Sequence, residues 1–271
     1  MSAALPSPRA AAALVAAGFR RYATYRLATA AGALTNVLFG VVKVSILFAA
    51  AEAAGGVVAG YDRAALSTYT WVAQGMIAVI VAFGGAELAQ RVRTGDVAVD
   101  LGRPVHPVPA WLAEDLGRAG QACLVRFLGP LVVGGLLFGL RVPEHPATVP
   151  LFLLSGLLAT VVAFGGRLLV NLTAFWLLDV RGVLTLYTVA LNVLCGLIVP
   201  VAFFPDWLRA AAYATPFPSM LQIPVDVAVE RLSGMDALVA LGVQAAWAVG
   251  LLASGTLVLR RGTRRLVVQG G

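Results

Sequence analysis

Six long apolar stretches, at about 27–50, 66–88, 122–140, 149–178, 183–204 and 237–259, leave this chain few ways to fold. Each lies near the roughly 20 residues that an α-helix needs to cross bilayer hydrocarbon. A membrane solvates no free backbone N–H or C=O, so such stretches must close their hydrogen bonds within themselves. Sixty per cent of the 271 residues are apolar and 12% are charged, against roughly 45–50% and 25% in soluble domains. The sequence therefore specifies an all-α integral membrane protein, a single transmembrane domain of six helices over residues 1–271. The loops between the spans are too small for a soluble domain of ordinary size.

Basic residues set the orientation. With both termini inside, the inner segments hold fourteen arginines and the outer loops hold four, Arg63, Arg141, Arg209 and Arg231. This is a strong positive-inside bias. It also accounts for the formal charge of +7 without nucleic acid, for which no soluble basic fold is available.

Residues 8–26, with four arginines among alanines, Leu14, Phe19 and Tyr22, read as a basic amphipathic helix along the inner membrane face. A plain positive flank that fixes topology explains them equally well. The first span carries Lys43, the only lysine. It is expected to snorkel to the outer headgroups, with an inward-facing functional charge as the alternative. Gln74 interrupts the second span. Residues 89–121 form the largest polar block, in which the helix should end near Gly95 and Pro104, Pro107 and Pro109 hold an extended turn. A helix restarts from Pro109 to Arg118. Five acidic and five basic residues lie between Glu87 and Arg126; that balance suits docking onto a protein and also suits a solvated loop. Gly135 and Gly139 have the small-xxx-small spacing of close helix contact. Arg167 and Asn171 share a face of the fourth span, either as a structural pair within the bundle or as part of a transport path. Asn192 lies in the fifth span.

Residues 196–224 read as re-entrant or interfacial. Gly196, Pro200, Phe204-Pro205 and Pro216 interrupt the helix, and Trp207, Leu208 and Tyr213 suit the headgroup level. The outer re-entrant segment is expected over 205–236. Helix-breaking prolines at this depth need their freed backbone groups buried in protein or set against water.

Several chemistries are excluded. Lys43 follows Phe39-Gly40-Val41-Val42, so no Gly-x-x-x-x-Gly-Lys-Ser/Thr phosphate cradle exists. His106 and His145 are isolated, and neither has an evident nucleophile partner. Cys123 and Cys195 read as small buried residues, not as a disulfide or metal pair. Paired intramembrane carboxylates, expected of many proton-coupled carriers, are missing. The chain is not expected to be an enzyme, and no metal is expected.

These features together resemble the membrane subunit of a type 2 ABC transporter. The basic amphipathic start resembles that family's connecting helix, the loop between spans two and three its coupling helix region, and the broken segment from Gly196 to Pro216 its connection between spans five and six. A narrower likeness is to a bacterial branch of viologen-exporter-like or multidrug permeases. It rests on Arg93-Thr94-Gly95-Asp96, Asp100-Leu101-Gly102-Arg103-Pro104, the word from Trp111 to Arg118, and Phe175-Trp176-Leu177-Leu178-Asp179.

The resemblance implies a permease subunit of an ATP-driven exporter in the bacterial inner membrane. Two permease subunits, identical or paralogous, would pair with two copies of a separate cytoplasmic ABC ATPase that holds the ATP and magnesium. Arg93, Asp96, Asp100, Arg103, Trp111 and Glu114 would be the ATPase-coupling residues. Lys43, Gln74, Arg167, Asn171 and Asn192 would be polar residues of the pathway or the bundle. The apolar spans suit amphipathic drugs, lipids and glycolipids alike. The alternatives are an ion-gradient-driven secondary carrier, for which broken helices should recur in both halves, and a membrane assembly protein that transports nothing.

Overall fold

A computed structural model describes residues 4–24, 26–81, 85–177 and 179–265. Tyr25 of the expected N-terminal helix, residues 82–84 of the expected second span and Leu178 of the expected fourth span lie outside the described residues. Among those that are described, twelve α-helices of five or more residues account for the architecture, joined by short 3-10 turns and one π-turn.

Helix α1 (Pro8–Ala23) starts where Pro8 needs no amide donor and Ser7 Oγ accepts from Ala10 N–H at 3.3 Å. It packs lengthwise on α6 (Pro107–Ala122) through two glycines. A Cβ at Gly18 would stand 2.0 Å from the Glu114 carbonyl oxygen, and one at Gly117 would stand 1.9 Å from that of Val15. Backbone meets backbone there. The Gly135/Gly139 pair, by contrast, makes no such interhelix contact. A Cβ at Gly135 would meet only nearby Leu140, and Gly139 opens on empty space at φ 74°. The close approach is at Gly134, whose backbone lies under the Trp71 ring.

Among the described residues, four helical stretches are long and apolar enough to cross a membrane: Ala30–Ala53 in α2 (Arg26–Ala53), Pro107–Phe138, Thr148–Phe175, and Gly234–Arg265, which is α12 (Gly234–Gly262) with the 3-10 turn that follows it. The second of these joins α6 to α7 (Leu128–Phe138) through the π-turn Cys123–Phe127. The helix expected to restart at Pro109 thus begins at Pro107 and continues through the π-turn into the third span, with Pro130 in the first turn of α7. Thirty-two residues make about 48 Å of helix, well beyond the roughly 30 Å of hydrocarbon. The charged half, with Glu114, Asp115 and Arg118, precedes the apolar half along the helix. Exposed apolar side chains begin only at Leu124 and continue through Leu128, Val132, Leu136 and Leu137.

The expected second and fifth spans are shorter helices. Helix α3 (Arg63–Val79) has 17 residues, capped by Asp62, whose side chain accepts from Ala65 N–H at 2.8 Å. It stops at Ile80, ahead of Val81, which has a positive φ of 52°. It is the central helix of the bundle, with Leu66, Tyr69, Thr70 and Trp71 fully buried. Its neighbours are protein, so polar Ser67, Thr68, Thr70 and Gln74 are tolerated and its hydropathy is diluted. Helix α9 (Arg181–Leu194) has 14 residues, about 21 Å. It ends because Gly196 turns left-handed at φ 88° and Pro200 follows without an amide donor.

Helix α8 (Thr148–Leu172) packs along α12 and also meets α11 (Gln222–Ala228). The small helices α4 (Glu87–Thr94) and α5 (Val97–Leu101) stand at the α1 end of the bundle. Helices α10 (Asp206–Tyr213) and α11 lie in the connection between α9 and α12. Of the two cysteines, Cys195 is buried as expected, but Cys123 is exposed on the π-turn.

Candidate coupling and transport elements

At the α1 end, Gly95 (φ 84°) closes α4 in the left-handed conformation that glycine tolerates, and α5 leaves at an angle. Asp100 is the hub of this corner. Its side chain is 5% exposed, accepts from Trp111 Nε1 at 2.9 Å, and pairs with Arg91 Nη2 at 2.6 Å and Arg103 Nη1 at 3.8 Å. Three of the residues singled out in the sequence, Asp100, Arg103 and Trp111, are thus brought together. Asp100 and Trp111 face inward and brace α5 against α6. Arg93, Asp96 and Arg103 are exposed around Val99, an apolar side chain 63% exposed at the same tip. Asp96 Oδ2 accepts from Thr94 Oγ1 at 2.6 Å. Glu114 is half-buried beneath α1, where its backbone meets Gly18.

Two connections tie this corner to the bundle. Tyr22 of α1 donates to Glu87 Oε1 at 2.9 Å, and Arg21 pairs with the same carboxylate at 3.4 Å. Burial, and then the Glu87 charge, raise the Tyr22 phenol above its ordinary pKa, so it stays a donor. Asn171 of α8 makes the second connection. Its Oδ1 accepts from Ala89 N–H at 2.8 Å, capping an orphan donor of the first turn of α4, and its Nδ2 donates to Gly85 and Arg167 carbonyls.

One turn from Asn171, Arg167 donates to the Ile80 carbonyl and, at 2.7 Å, to Asp115 Oδ2. Arg118 holds the same carboxylate through Nε at 2.7 Å and also reaches the Ala78 and Val79 carbonyls at 2.8 Å each. The last carbonyls of α3, which have no intrahelical partner, are therefore held by two guanidiniums that share one counter-charge. Arg167 and Asn171 do share a face, and that face is a brace between α3, α4, α6 and α8.

At the opposite end, Lys43 does not extend to the surface. Its Nζ donates to the Leu197 carbonyl and lies 5.6 Å from the centroid of the Tyr69 ring. The turn left by Gly196 presents a free carbonyl there, a nearer partner than a headgroup. The Tyr69 hydroxyl stands 2.8 Å from both Gly196 O and Gln222 Oε1, and donates to one of them at a time. Gln222 Oε1 also accepts from Val201 N–H at 2.9 Å, just after Pro200. Its Nε2 donates to Asp226 Oδ2 at 2.8 Å, and Tyr61 donates to Asp226 Oδ1 at 2.6 Å. The backbone groups released by the breaks are thus taken up by buried side chains. Phe204 and Pro205 are extended residues leading into α10, and Pro216 opens the 3-10 turn Phe217–Met220.

Gln74 and Asn192 are both buried, and an amide oxygen of each lacks a partner among the described residues. Nothing brings them to one site. Residues that the sequence pattern did not mark include Gln222, Asp226 and Gln244, the last bridging Ser155 and the Ser219 carbonyl. The spacing of Gln222 and Asp226, one helical turn apart on an otherwise apolar piece, is the signal that could have found them.

A scan against protein-family models matches residues 38–270 to the family described as ABC-2 family transporter protein. No curated protein matches the chain, and no solved structure does. The matched segment takes in all four long apolar helices except the start of the first, the braced corner of α4 to α6, and the broken connection before α12. With that extent matched, this membrane protein belongs to the ABC-2 family of transporter proteins.

Proposed function

We propose that the chain is the permease subunit of an ATP-driven exporter in a bacterial cell membrane, and that the tip of α4 and α5 receives the stroke of a separate cytoplasmic ABC ATPase. Permeases of this family work with such an ATPase. The observation that carries the reading is the construction of the α4–α5 corner. It has an exposed rim of Arg93, Asp96, Val99 and Arg103, an internal brace on Asp100, and a hydrogen-bonded link through Asn171 into α8. A contact that must transmit force needs an exposed rim and a stiff base. Motion of α4 would pull on Asn171, and motion of α6 would pull on Asp115 and hence on Arg167 and the end of α3.

The topology we propose has six spans with both ends cytoplasmic, α3 and α9 completing the four long helices. Their short lengths suit helices that are lined by protein or extended by the segments that follow them. Two copies of the ATPase, carrying ATP and magnesium, would meet two permeases, identical or paralogous. The mixed-charge rim suits a protein surface better than a lipid one. The cargo we propose is amphipathic or drug-like, in keeping with apolar spans that carry few polar groups.

The test uses the rim and spares the brace. Asp96→Arg and Arg93→Glu reverse exposed charges, whereas Asp100→Arg, or Arg103→Glu beside it, would disturb the corner itself. In the reconstituted complex, the two rim variants should lower permease-stimulated ATP hydrolysis and transport while the purified permease keeps its melting temperature. Wild-type coupling in both variants would refute the rim assignment. A pulldown in mild detergent that recovers no P-loop ATPase would refute the exporter reading.

A further inference from the structure

The α1 end of the bundle holds a cavity of about 1170 Å³ between α1, α3, α4, α6 and α8. Five arginines line it, against the carboxylates of Glu87, Glu114 and Asp115. Four of the arginines are paired: Arg21 with Glu87, Arg91 with Asp100, and Arg118 and Arg167 with Asp115. Arg126 is different. Among the described residues it has no carboxylate partner, and its Nε is buried without a hydrogen bond.

Its position is also unusual. Arg126 stands on the π-turn Cys123–Phe127, a local widening of the kind that recurs at functional sites. On either side, Leu124, Val125 and Leu128 are exposed apolar residues, a surface on which acyl chains can lie. Counting back from Phe138, the residue lies about 18 Å along the helix, inside a hydrocarbon layer of about 30 Å. Its guanidinium is turned onto the backbone of Gly32, where a Cβ would come within 2.5 Å of Nη2. Gly32 is the third residue of the apolar stretch Ala30–Ala53, so the charge is delivered to the edge of the hydrocarbon. An unpaired cation at that level, opening on a roomy cavity lined by both charged and apolar side chains, is suited to a phosphate carried by an amphiphile.

We propose that Arg126, set against Gly32 and beside the arginine-lined cavity, binds the anionic phosphate headgroup of a lipid or lipid-like amphiphile whose chains lie along Leu124 and Leu128. The headgroup would occupy the cavity, and the guanidinium would give it two parallel N–H donors. The lipid belongs to the inner leaflet under the topology proposed above, but binding itself does not depend on that topology or on the exporter reading.

The test is lipid binding by the delipidated full chain in nonionic detergent, read by native mass spectrometry. Phosphatidylglycerol and phosphatidylcholine with the same acyl chains are titrated separately. One phosphatidylglycerol should bind about tenfold more tightly than phosphatidylcholine, a difference of about 1.4 kcal/mol. Arg126→Gln should erase that preference, and Arg126→Lys should keep part of it. Gly32→Ala, which crowds Nη2, should weaken binding without removing the charge. Displacement by inorganic phosphate would show that the site takes the free anion as well, and resistance to displacement would assign it to the lipid. Equal binding of the two lipids by the wild type overturns the proposal, even if Arg126→Gln fails to fold. A preference that survives Arg126→Gln in folded protein overturns it too.

Discussion

Replacing Asp115 with alanine is the sharpest probe of how this bundle is held. The carboxylate is 14% exposed and accepts from Arg118 Nε at 2.7 Å, Arg118 Nη2 at 3.3 Å and Arg167 Nη2 at 2.7 Å. The two guanidiniums are 10% and 8% exposed. Asp115→Ala would leave two buried like charges facing each other with only backbone carbonyls as partners. Breaking a buried ion pair from one side costs about 3–5 kcal/mol, most of it the stranded charge. At roughly 2–4 °C per kcal/mol for chains of about 150–250 residues, the melting temperature should fall by about 10 °C. Asp115→Asn keeps one acceptor and should fall by about half as much. Arg167→Met in the Asp115→Ala background removes one stranded cation, so the double variant should be more stable than the two single losses predict when added. Thermal unfolding in detergent, with exposed Arg20→Ala as the control, measures all of these. A shift for Asp115→Ala no larger than the control's would refute the reasoning, as would strict additivity with Arg167→Met.

Other consequences follow from contacts elsewhere. Gly117→Leu, whose side chain would run into the Val15 backbone, should push α1 off α6, and hydrogen exchange of the α1 amides should be faster in the variant than in the parent. Gln222→Leu strands Val201 N–H and one oxygen of Asp226. At about 1–3 kcal/mol for each unsatisfied buried group, it should lower the melting temperature by several degrees and speed hydrogen exchange at Val201. Glu230 is partly desolvated, which opposes ionisation, yet hydrogen bonds from Thr148 and from the Glu144 and His145 backbone hold its pKa down at about 2, from an ordinary 4.5. Because the folded value is the lower one, the contribution is present above pH 4.5 and is lost as pH falls through about 2. Protection factors of the Glu144 and His145 amides, measured against the intrinsic exchange rate at each pH, should fall over that window in the wild type and be low throughout in Glu230→Ala.

The apolar runs and the arginines at their ends carry much of this protein's identity. A run of about 20 apolar residues has one stable form in lipid, so the all-helical membrane class follows from local sequence alone. The breaks at Gly196, Pro200 and Pro216 were equally legible, since a missing amide donor or a left-handed turn acts on its own residue. Partnerships were not legible. Lys43 looked able to reach headgroups until the Gly196 turn set the Leu197 carbonyl beside it, 154 residues on. Asp100 and Trp111 looked like docking residues, and the turn between α5 and α6 made them each other's partners. The Gly135/Gly139 spacing fitted a helix contact that the fold makes at Gly18 and Gly117 instead. Periodicity says which faces are small or polar, but only tertiary packing decides which of them meet. Near Asp115 and Gln222 the cost of leaving a polar group alone in a low-dielectric interior settles that choice. The sequence by itself therefore determined helices, membrane and breakpoints, and the tertiary structure decided which charges are braces and which, like Arg126, have no carboxylate partner among the described residues.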